Sequence, residues 1–83
     1  MTRENFEEAL LFFAERRPFT PYMLELNGGE RYKVERPGSL AWTDRKGVFL
    51  GPGGLMRVFD NESVLQIIDA PAHAIRPRKS KKS

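Results

Sequence analysis

Side chains that could perform acid–base or metal chemistry are few in this sequence. Asp60 and Glu62 stand two residues apart, as in a proton-transfer pair, and His73 is the only histidine. Between two apolar runs, however, acidic residues more often cap a turn, and a single histidine in a proline-flanked linker has no second ligand at metal-binding spacing. There is no cysteine, which excludes disulfides and thiolate–zinc sites. We therefore predict a non-enzyme with no metal, no cofactor and no small-molecule substrate.

A glycine cluster, "GPGG" at residues 51–54, resembles a phosphate-binding loop only superficially. Such a loop needs a following lysine and a helix whose N-terminus faces the phosphate, and neither follows here. The pattern predicts a turn between two strands.

Aromatic and basic side chains raise the question of nucleic-acid binding. An aromatic set could stack bases, and a basic set could follow a phosphate backbone. The first comprises Tyr22, Tyr32, Trp42 and Phe49, and the second Arg31, Lys33, Arg45, Lys46 and Arg57. Strand alternation places the tyrosines and the tryptophan on an apolar face, which favours core packing. Glutamates interleave with the bases, which favours a solvated surface of mixed charge.

The net charge of +3 comes from the C-terminal segment. Residues 74–83 carry five bases and no acid: Arg76, Arg78, Lys79, Lys81 and Lys82. Without these five of the 14 bases, nine bases face 11 acids, so the remaining chain is close to −2. We expect this basic tail, taken as 71–83, to be flexible when free and to supply phosphate contacts, with Arg45 and Lys46 as further candidates.

The sequence predicts one helix, over residues 3–16. Phe6, Leu10 and Phe13 form its apolar stripe, Thr2 is a suitable N-cap, and Pro18 ends it. Leu11 and Phe12 fall outside the stripe and are surplus apolar surface.

Five short strands are predicted to follow within a single domain, residues 1–70. Residues 21–35 form a hairpin whose two alternating apolar sets are even-numbered: Tyr22, Leu24 and Leu26, then Tyr32 and Val34. A three-residue loop, Asn27-Gly28-Gly29, therefore pairs Leu24 with Tyr32 and brings both apolar sets to one face. "RPGS" at 36–39 bends the second strand, which resumes as "LAWT"; the last three strands are 48–50, 55–59 and 64–68. The acidic "DNES" at 60–63 suits one 3-10 turn.

This layout resembles the Sm-like and SH3-like small β-barrels, which also join their last two strands by a 3-10 turn. "LELNGGERYKVE" is similar to the start of the first Sm motif. The chain also resembles short uncharacterised bacterial proteins that share an RPF…LxLxxG…YxVxxP opening. The resemblance covers residues 3–69 and implies a five-stranded barrel and RNA or DNA binding. The Sm base-binding asparagine and Arg-Gly element are absent, so no binding residue is carried over.

Surplus apolar residues suggest a contact between subunits. If Arg57 and Gln66 face water, Met56, Val58, Leu65 and Ile67 face inward, and four apolar residues point outward. We therefore predict a homo-oligomer joined near Leu55, Phe59, Val64 and Ile68, with help from Leu11 and Phe12. The alternative is that the helix covers this face within one subunit.

Two functions remain open from the sequence. One is a nucleic-acid-associated barrel whose tail contacts RNA or DNA phosphates. The other is a protein-interaction or assembly module with no nucleic-acid role. No apolar run approaches the length of a membrane span, and acids precede the N-terminal apolar run, so we expect a cytoplasmic protein without a membrane partner.

Overall fold

The computed structural model describes residues 1–70, which form a mainly β fold with one N-terminal helix. Helix α1 spans Arg3–Ala14, and the strands are β1 Tyr22–Leu26, β2 Arg31–Val34, β3 Leu40–Thr43, β4 Lys46–Leu50, β5 Met56–Asp60 and β6 Val64–Asp69. Short 3-10 turns occupy Pro37–Ser39, Pro52–Gly54 and Asn61–Ser63. The residues predicted for the tail, together with His73, lie outside the described range. Within residues 1–70, no helix is long and apolar enough to cross a membrane.

Helix α1 begins where the sequence predicts and ends two residues earlier than the predicted residue 16. The backbone N–H of Asn5 donates to Thr2 Oγ1 at 3.1 Å, which confirms Thr2 as the N-cap. Glu15 already has a non-helical backbone, so the helix stops at Ala14. The predicted apolar stripe is confirmed, although its residues are buried to different extents. Phe6 and Leu10 are fully buried, and Phe13 is half-buried against the same core.

The β1–β2 hairpin has the predicted register. Leu24 pairs with Tyr32 and Tyr22 with Val34. The backbone N–H of Leu26 donates to the Glu30 carbonyl at 2.8 Å and closes the loop, and Gly29 has the predicted positive φ of +93°. Only a residue without a Cβ adopts that conformation readily, so the glycine specifies the turn.

The predicted bent second strand is two strands, so the count is six and not five. Pro37 has no N–H to donate and favours the turn at Pro37–Ser39, which separates β2 from β3. The strands form two antiparallel sheets, in the orders β2-β1-β6 and β3-β4-β5. No strand pairing joins the two sheets within residues 1–70, so the described chain is not a closed barrel.

The core lies between the two sheets and beneath α1. Phe6 meets Phe59 edge-to-face at 6.2 Å, and Tyr32 stacks on Phe49 at 4.8 Å with nearly parallel rings. Tyr22, Tyr32 and Phe49 are therefore core residues, as the alternation predicts, and Trp42 is half-buried beside them. Burial raises the pKa of Tyr22 to about 12, which agrees with a phenol withdrawn from water.

The predicted facing of β5 is wrong. Phe59 is buried, whereas Met56 and Val58 are 62% and 68% exposed. The prediction assumed that Arg57 must mark the solvent face. Arg57 instead lies on the same face as Phe59, beyond the end of the core, where its long side chain still reaches water. The remaining side chains of β5 are thereby turned outward.

The predicted facing of β6 is wrong in its first half, because a bulge interrupts the alternation. Glu25 pairs with Gln66 but Leu26 pairs with Val64, so Leu65 is the extra residue. Val64 is therefore buried and Leu65 is 58% exposed, opposite to the prediction. Beyond the bulge the prediction holds, with Ile67 buried and Ile68 exposed.

The 3-10 turn predicted at residues 60–63 is confirmed at Asn61–Ser63. Asp60 Oδ1 accepts the backbone N–H of Ser63 at 3.0 Å, and the Ser63 hydroxyl donates to the Asp60 carbonyl at 2.8 Å. The carboxylate of Asp60 thus caps the turn that links β5 to β6. Asn61, the one buried polar residue of the described range, donates from Nδ2 to the Met1 carbonyl at 2.7 Å.

Candidate interaction surface

The outer face of the β3-β4-β5 sheet is apolar across all three strands. Ala41 pairs with Val48, and Val48 with Val58, which gives one row. Leu50 pairs with Met56 and gives a second row beside it. The inner sides of the same strands carry Leu40, Phe49 and Phe59, which fill the core. We call the five outward residues, Ala41, Val48, Leu50, Met56 and Val58, the outer patch.

The outer patch is open to solvent. Val58 is 68% exposed, Met56 62% and Leu50 46%, and only Val48 is half-buried. Helix α1 packs on β6 and on the Asn61–Ser63 turn, so it leaves this face uncovered. Single exposed apolar side chains are ordinary, but adjacent rows on a flat sheet are typical of a contact surface.

A charged pair borders the outer patch. Lys46 and Asp60 lie directly opposite each other in the β4–β5 register, one row beyond Val58. Neither makes an ion pair with any other described residue. The patch therefore has an apolar centre and a border that carries both signs of charge.

The residues predicted for the subunit interface are scattered in the structure. Leu11, Phe12, Leu55 and Ile68 are exposed, but they belong to different elements: α1, the segment before β5, and β6. Phe59 and Val64 are buried within the single chain, so they offer no side-chain surface to a second copy. The outer patch was missed because Met56 and Val58 were assigned inward. The sequence does contain a signal for it. If Phe59 is placed in the core, strict alternation along residues 46–50 and 56–60 turns the apolar residues of the patch outward.

The surplus on α1 is partly covered by the chain itself. Phe12 and Phe13 meet edge-to-face at 5.1 Å, and the Arg16 guanidinium lies 5.7 Å and 4.8 Å from their ring centroids. Arg16 also forms a 2.7 Å ion pair with Asp69, which ties the helix C-terminus to β6. Phe12 is still 62% exposed, so this contact covers its ring only in part.

The two folded residues predicted to contact nucleic acid lie at the β3–β4 turn. Arg45 is in the turn and Lys46 begins β4, two residues before the strand predicted at 48–50. Asp44 adopts a positive φ of 53°, which an aspartate tolerates and a two-residue hairpin requires. These bases border a hollow of about 490 Å³ that is also lined by Asp44, Asp60 and Glu62. A phosphate there would meet acids as well as bases.

The acidic pair Asp60 and Glu62 lies at the 3-10 turn between β5 and β6. Within residues 1–70, no group of three His, Asp or Glu side chains is placed to hold an ion. Asp60 is engaged by the Ser63 N–H, and the Glu62 carbonyl accepts Asn27 Nδ2 at 2.9 Å. The turn that contains this acidic pair is thus tied into the structure.

The chain matches no protein-family model, no curated protein and no solved structure. Function has to be argued from the surface of this chain alone. The outer patch is an exposed apolar feature of the described residues that the fold of a single chain does not require.

Proposed function

We propose that this protein is a non-catalytic assembly module that self-associates through the outer patch. The observation that carries the proposal is the pair of adjacent exposed rows on the β3-β4-β5 sheet, with Val58 68% and Met56 62% exposed. A chain of 83 residues buries a comparatively small part of its surface on folding, so apolar contacts between copies add usefully to its stability.

A second copy is the occupant that the border of the patch favours. An interface across a two-fold axis brings the same patch of both subunits together. Because Lys46 and Asp60 are neighbours, a two-fold arrangement can set the lysine of one copy against the aspartate of the other. A partner of a single charge sign would satisfy only one of them. The apolar rows then supply the centre of the interface and the charges its rim.

The experiment is sedimentation of the full chain and of two glutamate variants over a concentration series. Val58→Glu places a charge in the outer patch and should shift the chain toward monomer. Leu65→Glu is the matched control, since Leu65 is 58% exposed on the other sheet and should leave association unchanged. Circular dichroism should show both variants folded. A monomeric wild-type chain at every concentration, or equal effects of the two variants, would contradict the proposal.

A second candidate is association with RNA or DNA through the predicted tail. Arg45 and Lys46 favour it, because neither makes an ion pair with any other described residue. Deleting residues 76–83 should remove most of the affinity for a nonspecific oligonucleotide and flatten its salt dependence. Arg45→Glu should then have a smaller effect than the deletion. No binding by the full chain at low salt would remove this candidate.

The resemblance to small barrels belongs to the same proposal. With β2 and β3 taken as halves of one bent strand, the order becomes β6-β1-β2/β3-β4-β5. That is the order of a five-stranded meander whose last strand returns to the first, as in an open barrel. The 3-10 turn between the last two strands supports it as well.

A further inference from the structure

A groove of about 630 Å³ runs beside β2 and shares one residue, Leu50, with the outer patch. One wall is the chain from Glu30 to Lys33, together with Glu35 and Arg36. The other wall runs from Phe49 to Gly53 and includes Leu55 and Arg57. Consecutive residues of β2 line it, although their side chains alternate between two faces. The groove therefore follows the edge of the strand.

β2 is an edge strand, with β1 as its one neighbour in the sheet. The Leu26 N–H donates to the Glu30 carbonyl, and in an antiparallel ladder residues two apart direct their backbone groups the same way. Glu30 and Tyr32 therefore face β1, and the N–H and C=O of Arg31 point into the groove. An edge of this kind can accept a further strand.

The groove is positively charged overall. Four bases and two acids line it: Arg31, Lys33, Arg36 and Arg57, with Glu30 and Glu35. Arg31 is paired with Glu25 at 3.4 Å and Lys33 with Glu35 at 3.2 Å. Arg36 and Arg57 make no ion pair with another described residue. These two guanidiniums, on opposite walls, are the groups that an anionic ligand would meet.

The floor of the groove argues against nucleic-acid bases as that ligand. Tyr32 and Phe49 stack on each other and are 9% and 6% exposed, so neither offers a free ring face to a base. Burial, aided by the charge of Glu30 and opposed by that of Arg57, raises the pKa of Tyr32. The basic C-terminal segment of the chain has the wrong charge for the groove.

We propose that the groove binds an extended acidic peptide segment, which adds to β2 as a further strand. Its backbone pairs with the exposed backbone groups of Arg31, and its carboxylates pair with Arg36 and Arg57. Backbone pairing supplies orientation, and the two guanidiniums select for acidic side chains. The groove shares Leu50 with the outer patch, whereas Ala41, Val48, Met56 and Val58 do not line it.

The test uses the full chain and a fluorescein-labelled peptide of alternating glutamate and threonine, followed by fluorescence polarisation at low salt. The matched peptide has glutamine at every glutamate. Arg57→Glu and Arg36→Glu should each weaken binding of the acidic peptide by about tenfold, since each replaces an attractive pair with a repulsive one. Arg45→Glu makes the same charge change outside the groove and should leave the affinity within about twofold, as expected for a distant exposed site.

Nuclear magnetic resonance provides the second readout. In the complex, the Arg31 amide should shift and exchange more slowly with solvent, while the amides of Ala41 and Val48, which do not line the groove, should not change. Three results would overturn the proposal: equal loss of binding with Arg45→Glu and Arg57→Glu, equal affinity for the glutamine peptide, or an Arg31 amide unaffected by saturating peptide. Stronger binding of an oligothymidylate that depends on Arg36 and Arg57 would assign the groove to nucleic acid instead.

Discussion

Gly47→Ala should destabilise the chain, although Gly47 lies in a strand with ordinary backbone angles. A Cβ built at Gly47 would stand 2.5 Å from Cζ of Phe59 and 2.9 Å from Cε2. The ring cannot retreat freely, because it packs edge-to-face on Phe6 at 6.2 Å and against Tyr32 at 5.8 Å. Overpacking of this kind costs about 1–3 kcal/mol. The missing side chain of Gly47 therefore makes the room in which Phe59 faces the core.

The direction of the stability change distinguishes overpacking at Gly47 from an ordinary glycine-to-alanine substitution. At a position with compatible backbone angles and free space, glycine to alanine usually stabilises by about 0.4–1 kcal/mol. Gly28 meets nothing within 4 Å and has no positive φ, so Gly28→Ala is the control and should change stability little. In a Phe59→Leu background, which removes the ring edge, the cost of Gly47→Ala should fall by about 1 kcal/mol or more.

The assay is urea unfolding of the wild type, the two single variants, the double variant and the control at one protein concentration, because self-association would add to apparent stability. For a domain of this size, 1 kcal/mol corresponds to about 4–8 °C in Tm. A Gly47→Ala chain as stable as wild type would refute the packing of Phe59 against Gly47. So would an identical cost of Gly47→Ala in the wild-type and Phe59→Leu backgrounds.

Two further predictions concern the core and its titration. Phe6→Ala should lower the free energy of unfolding by about 3–5 kcal/mol. The loss should exceed that of Phe13→Ala, because Phe6 is fully buried and Phe13 is half-buried. Equal losses in urea unfolding would contradict this difference in burial. Tyr22 has a pKa raised from 10.0 to about 12 by burial, so its neutral form is favoured in the folded state. Its contribution to stability is complete below pH 10.0 and is lost as the pH rises toward about 12, and Tyr22→Phe should remove that part of the alkaline loss, measured by unfolding across this pH range.

Local patterns predicted much of the fold. The parity of the apolar residues gave the pairing of Leu24 with Tyr32, and the acidic composition of residues 60–63 gave the 3-10 turn. These features depend on residues close in the chain, where alternation and turn chemistry determine the geometry. Thr2 as N-cap belongs to the same class.

The outer patch was not predicted, because the facing of its residues depends on the three-dimensional arrangement of the sheets and not on local alternation alone. Arg57 was taken to mark the solvent face, but its position beside an open groove lets a charged residue share the core side with Phe59. The bulge at Leu65 reversed part of β6 in the same way, and alternation alone cannot show a bulge. Gly47 was the available signal, since a glycine inside a strand often marks the close approach of another group.

The most direct test of self-association through the outer patch is an isotope-filtered nuclear Overhauser experiment. Equal amounts of isotope-labelled and unlabelled full-length chains are mixed at a concentration where sedimentation shows association. We predict intermolecular contacts from the methyl groups of Met56, Val58 and Leu50. Intermolecular contacts confined to Leu65, Ile68 or Phe12, or none at all under those conditions, would contradict the assignment of the outer patch as the interface.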